Sequence, residues 1–161
     1  MMSDVPFRLF LDTNVYIIGA GDPNSPEAAI LQWIRDCTNS PSIQVIISSI
    51  LLSEISRVAI RLRHKDWAGE LISDIWTAFN PELVTIVPAE FLQLQANGDL
   101  PREDIGVYLT AKTGKVNCFV SANYKLIAAL VAKTQEFECL TPEEFVNQYL
   151  PNQGIVNDDT L

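Results

Sequence analysis

Histidine is almost missing from this chain: His64 is the single one in 161 residues. Acid–base chemistry here must therefore rest mainly on carboxylates, water or a metal. Cysteine is scarce as well. Cys37, Cys118 and Cys139 are odd in number and widely spaced, so they make no zinc pattern, and two of them sit in apolar surroundings that suit reduced, packed thiols. No apolar run approaches the ~20 residues of a membrane span. The opening Met-Met-Ser-Asp lacks the charged and apolar regions of a signal peptide. The expectation is a cytoplasmic protein with no membrane partner. No Gly-x-Gly-x-x-Gly follows the first strand and no Walker loop is present, which excludes a nucleotide cofactor of either common kind. With no repeat, low-complexity tract or linker, residues 1–150 read as one domain, followed by a polar, flexible C-terminal tail over 151–161.

Positive charge is also in short supply. Eleven Lys and Arg stand against twenty Asp and Glu, a net charge of −9. That balance argues against loose electrostatic attraction to nucleic acid. The charge is uneven, however: Arg57, Arg61, Arg63 and Lys65 fall within "RVAIRLRHK".

What the sequence does have is alternation. "FRLFL", "IQVII", "ELVTIV", "VNCFV" and "EFECL" are short apolar runs that read as strands. Between them lie helical patterns with stop and start signals. "SPEAAILQWIRDC" opens on a Ser cap and Pro26, and "SSILLSEISRVAIRLRHK" offers serine caps. "DWAGELISDIWTAF" stops near Asn80-Pro81, and "EFLQLQANG" ends at Asn97-Gly98. "DLPREDIGVYLTAKTG" has Asp99 as its cap and Pro101 in its first turn; "NYKLIAALVAK" and "TPEEFVNQYL" follow. Alternating helices and apolar strands predict a parallel α/β sheet covered on both faces. In such sheets ligands bind beyond the carboxyl ends of the strands.

Those ends carry carboxylates. Asp12 closes the first strand, Glu54 lies in the helix after the second, and Asp104 sits in the first turn of the helix starting near Leu100. Ser121 and Asn123 follow the fourth strand. Crowded carboxylates repel and need a compensating cation. Mg²⁺ or Mn²⁺ accepts such oxygen ligands and keeps waters or phosphate oxygens in its remaining positions. Glu54, Arg57 and Arg61 are spaced i, i+3, i+7 and share a helix face, so an acid at the metal with arginines beyond it can grip a nucleic-acid backbone. Each acid also has a plainer role: Asp12, Thr13 or Asn14 can cap the following turn, Asp104 suits a helix dipole, and Glu54 can pair with Arg57 or Arg61. Glu103, a quarter-turn from Asp104, reads as a helix-dipole residue.

The stretches "LFLDTNVYI", "IISSILLSEI", "LPREDIGVYLTA" and "CFVSANYKL" resemble, in order, the successive motifs of PIN-domain nucleases. The resemblance runs from about Arg8 to about Leu150. It implies a PIN-like three-layer α/β/α sandwich with a five-stranded parallel sheet in the order 3-2-1-4-5. It implies a Mg²⁺- or Mn²⁺-dependent endoribonuclease with an RNA substrate. Asp12, Glu54 and Asp104 fall on three acidic metal-site positions, and Asn123 on the fourth, where many members carry Asp. A further acidic position falls on Lys125, whose charge is wrong for a metal. Ser121 falls beside the site and joins Arg57 and Arg61 as substrate-binding; Thr13 and Asn14 support the first acid. Many relatives of this size are toxins of VapBC-type toxin–antitoxin pairs, which implies an antitoxin partner and a homodimer. The alternative reading is a catalytically weakened RNA-binding or protein-interaction module, its metal site thinned by Asn123 and Lys125.

Overall fold

Three successive residues of the first strand, Leu9, Phe10 and Leu11, are fully buried. Side chains alternate faces along a strand, so both faces of the sheet are covered at this point. The same holds for Val45, Ile46 and Ile47 in the second strand and for Cys118, Phe119 and Val120 in the fourth. The computed structural model describes residues 7–37 and 42–150; the tail expected over 151–161 lies outside the described residues. In it the apolar runs form β1 (Phe7–Leu11), β2 (Ile43–Ser48), β3 (Glu82–Val84), β4 (Cys118–Val120) and β5 (Glu138–Leu140). All pairings are parallel and the order is β3-β2-β1-β4-β5, as the resemblance implied.

Eight helices are found among the described residues: α1 (Thr13–Gly21), α2 (Pro26–Asp36), α3 (Ser49–Leu62), α4 (Lys65–Ala78), α5 (Pro88–Asn97), α6 (Arg102–Thr113), α7 (Tyr124–Lys133) and α8 (Pro142–Tyr149). Helix α1 packs on α2 and α3, α2 also on α8, and α3 also on α4 and α6. An aromatic seam runs through the core, with Phe119 stacked between Phe10 at 4.9 Å and Phe137 at 5.9 Å. Cys118 and Cys139 are buried free thiols; burial pushes the Cys139 thiol up to about 11 and Cys118 higher still, so both act as packed, protonated side chains.

Three local expectations are corrected. Helix α1 has no counterpart in the sequence reading, because "TNVYIIGAG" is apolar on nearly every side and shows no helical stripe. The third strand is only Glu82–Val84 rather than the whole of "ELVTIV", since at the sheet edge it has a single neighbour, β2. Asp99 does not cap α6; Pro101 occupies that position without a side-chain bond, and Asp99 pairs instead with Lys133 at 3.5 Å.

The order places the chain's reversal at β1. From β1 it builds outward to β2 and β3, then returns to lay β4 on the other side. The crevice beyond the ends of β1 and β4 is therefore the topological switch point where α/β folds bind ligands. At the opposite end of the sheet, Arg8 grips both carboxylate oxygens of Glu82 at 2.7 and 3.1 Å and the Gly114 carbonyl at 2.7 Å. That pairing holds Glu82 below the usual carboxylate range and ties β1 to β3 across β2.

Candidate metal centre

The chain leaves β1 through Asp12, whose backbone N–H still bonds the Val120 carbonyl of β4 at 2.9 Å. Its side chain then does two things. One oxygen accepts from the Thr13 N–H at 2.8 Å, capping α1; the other accepts the Ser121 hydroxyl at 2.8 Å. Asn14 braces this arrangement by donating to Ser121 Oγ at 3.2 Å and accepting the Ala122 N–H at 2.9 Å. Ser121 is fully buried and Asp12 is 7% exposed. Asp12 thus caps α1, one of the two roles the sequence left open.

Glu54 arrives on α3, whose start is fixed by a chain of bonds into α6. The Leu51 N–H donates to Ser48 Oγ, Ser48 is 2.7 Å from the Thr110 hydroxyl, and Thr110 donates to the Gly106 carbonyl. Since Thr110 spends its proton on Gly106, Ser48 is the donor between the two hydroxyls. Glu54 accepts a hydrogen bond from the Thr13 hydroxyl and meets Arg57 at 3.9 Å. Asp104 enters from the first turn of α6, and its side chain makes no hydrogen bond among the described residues.

These acids meet. Asp12, Glu54 and Asp104, with Glu103, Asn14 and Asn123, line one cavity of about 360 Å³. None of the described residues that line it is basic. The electrostatics record the crowding. Burial first, then the nearby charges of Glu54 and Asp104, raise Asp12 from its ordinary 3.8 up to about 6 against the lowering pull of Ser121 and Thr13. Asp104 is raised by partial burial and by Glu103 and Glu54. Uncompensated carboxylates sharing a cleft mark a place where positive charge is stabilised.

The donor set fits a hard divalent ion. All its members offer oxygen, and Mg²⁺ typically takes one or two carboxylates and fills its other positions with water and phosphate oxygens. Among the described residues, no group of three or more His, Cys, Asp or Glu is arranged to hold an ion by itself; an ion here would need water or substrate oxygens beside the carboxylates.

The remaining expected residues sort themselves. Asn123 is exposed and its side-chain oxygen caps α7 by accepting the Leu126 N–H at 3.1 Å. The cap takes one lone pair of that oxygen, and the Asn123 N–H₂, a donor, forms no hydrogen bond among the described residues. Lys125 is exposed and does not line the carboxylate cavity. The same is true of Arg61. Arg57 lines a neighbouring cleft. Arg63 is committed to structure, with its guanidinium 5.0 Å from the Trp67 ring centre. His64 is spent as the α4 cap, accepting the Trp67 N–H at 3.1 Å. Missed in the sequence were the apolar rim of the cavity, Ile18 and Leu62 at 36% and 59% exposed, and the place of Glu103 on two cavities at once. The first needed helix α1, which the sequence reading did not contain.

No protein family matches the chain's sequence, and no curated protein does. Among solved structures, VapBC2 from Rickettsia felis, crystallised bound to a DNA fragment from their promoter, is similar to it. The match covers 83% of this chain and 98% of that chain, with a TM-score of 0.60 and 13% identity. At that identity the likeness is one of fold, and the fold they share is the PIN-like α/β/α sandwich with its 3-2-1-4-5 sheet.

Proposed function

We propose that this chain is a Mg²⁺- or Mn²⁺-dependent endoribonuclease, acting as the toxin of a toxin–antitoxin pair. The observation that carries the reading is the convergence of Asp12, Glu54 and Asp104, from three separate elements, on one cavity whose described lining holds no basic residue. Asp12 and Asp104 would hold the ion, with Glu54 direct or through water. A bound divalent ion supplies an activated water and neutralises charge on a phosphoryl group. The chain's own residues do the rest. Ser121 and Asn14 keep Asp12 in one orientation, Thr13 keeps Glu54 turned toward the cavity floor, and the free N–H₂ of Asn123 is suited to a phosphate oxygen. The exposed Ile18 and Leu62 at the mouth suit the apolar part of an antitoxin that covers the site, and a homodimer belongs to the same reading. Support for a partner comes from the neighbour, which was itself crystallised as VapBC2.

The test is cleavage of single-stranded RNA by purified protein. Cleavage is expected with Mg²⁺ or Mn²⁺ and lost in excess EDTA and in Asp12→Asn; equal cleavage in all conditions contradicts the proposal. A second reading, a PIN-like fold kept as a binding module, is favoured by one observation: the Asn123 oxygen serves the α7 cap. Calorimetry separates the two, since the module predicts RNA affinity without Mn²⁺ binding at millimolar metal.

A further inference from the structure

Beside the carboxylate cavity, and sharing Glu54 and Glu103 with it, lies an open cleft of about 520 Å³, within the ~300–1,000 Å³ of ligand pockets. Its character is different. Arg57 and Arg102 line it, with the Phe91 ring and the exposed hydroxyl residues Ser49 and Ser53. Three of the six arginines of this acidic chain are committed elsewhere: Arg8 to Glu82, Arg35 to Asp74, and Arg63 to Trp67. Arg102 forms no ion pair or side-chain hydrogen bond among the described residues. Arg57 has only the loose 3.9 Å contact with Glu54 and is 67% exposed. Two little-neutralised guanidinium groups and a flat ring thus flank the acids in a chain of net charge −9.

We infer that this cleft holds the nucleotide adjoining the scissile phosphate of a single-stranded RNA, with the base against Phe91 and its phosphate on Arg57 and Arg102. The inference rests on the endoribonuclease reading of the neighbouring cavity. Each part of a nucleotide meets its complement. Aromatic rings bind unpaired bases of any sequence by stacking, guanidinium forks bind phosphate, and the serines offer partners to ribose hydroxyls. An acidic peptide fits less well, because it has no flat face to set on Phe91. A base inside a duplex cannot reach the ring, so Phe91 makes the site selective for single strands.

The experiment is fluorescence anisotropy of a labelled single-stranded RNA decamer with full-length protein carrying Asp12→Asn, so that binding is read without cleavage. Adding Arg102→Gln should weaken binding and flatten the slope of log affinity against log salt by about 0.7, the value of one phosphate contact on a single strand. Adding Phe91→Ala should weaken binding roughly tenfold with the salt slope unchanged, and Phe91→Trp should restore it; a duplex of the same sequence should compete poorly. Unchanged affinity in both Arg102→Gln and Phe91→Ala overturns the cleft. If those variants are silent while Mn²⁺ still raises the melting temperature of the otherwise native protein, the cleft alone falls. If there is neither RNA binding nor Mn²⁺ stabilisation, the endoribonuclease reading falls with it. A decaglutamate peptide whose affinity, but not that of RNA, drops in Arg102→Gln also overturns the inference and assigns the cleft to an acidic protein.

Discussion

The candidate site has two halves built in opposite ways. Its floor is the junction of β1, α1 and β4, where Asp12, Ser121 and Asn14 are locked by short hydrogen bonds at the ends of fully buried strands. Its wall is the first turn of α6, with α5 packed behind it. Neither helix has a side-chain N-cap bond, α5 has no fully buried residue, and the Asp104 side chain makes no hydrogen bond among the described residues. The difference shows where this protein spends its packing. The floor fixes one carboxylate against the cost of burying it, a form of preorganisation. The wall brings a second carboxylate into the same cavity without a side-chain hydrogen bond to hold it. This accounts for a set of acids that shares a cavity yet forms no ready three-carboxylate cage.

The contrast can be broken at several points. The largest effect belongs to the core under the floor: Phe119→Ala removes a ring stacked on two others and should cost about 3–5 kcal/mol by urea unfolding. Asp12→Asn should act in the other direction. A carboxyl raised from 3.8 to about 6 on folding binds its proton more tightly in the folded state. Its favourable contribution is full below the unfolded value and is lost as pH rises through about 6. In the absence of divalent ions, Asp12→Asn should therefore be more stable than the wild type at pH 7 by up to about 3 kcal/mol, and the two should converge below pH 4. Equal pH profiles would mean that Asp12 is not held in a desolvated, acid-crowded position. Ser121→Ala leaves the Asp12 and Asn14 side chains short of a partner and should cost about 1–3 kcal/mol. That loss should grow above pH 6, because the Ser121 hydroxyl favours the ionised carboxylate. The smallest effect belongs to the wall, where Leu92→Ala, at 63% exposed, should stay within about 0.5 kcal/mol.

The same contrast explains what could be read in advance. The strands of the floor were legible because burial on both faces demands unbroken apolar runs such as "RLFLD". Caps at Ser25, Ser48 and Thr141 were legible because a helix start needs an acceptor at a fixed position. Helix α1 was not, since a helix with apolar residues on nearly every side has no periodic signature. The acids could be picked out as residues at or just beyond the strand ends, and they line one cavity; whether they hold a metal is for measurement. Two roles could not be seen. Asn123 has an oxygen that either caps a helix or faces a ligand, and spacing does not say which. Phe91 and Arg102 meet Arg57 only because α5 and α6 fold back beside α3, a long-range fact with no local signal.

The most direct measurement is thermal unfolding of wild type and Asp12→Asn at pH 7 across a Mn²⁺ titration. A cation seated on Asp12 predicts a melting temperature that climbs with Mn²⁺ in the wild type, reaching about 2.7 kcal/mol of stabilisation at a hundred times the dissociation constant. It predicts a flat response in Asp12→Asn, so that metal narrows the stability gap between the two proteins. Parallel curves, with the variant equally responsive or the wild type unmoved at millimolar Mn²⁺, would contradict the account.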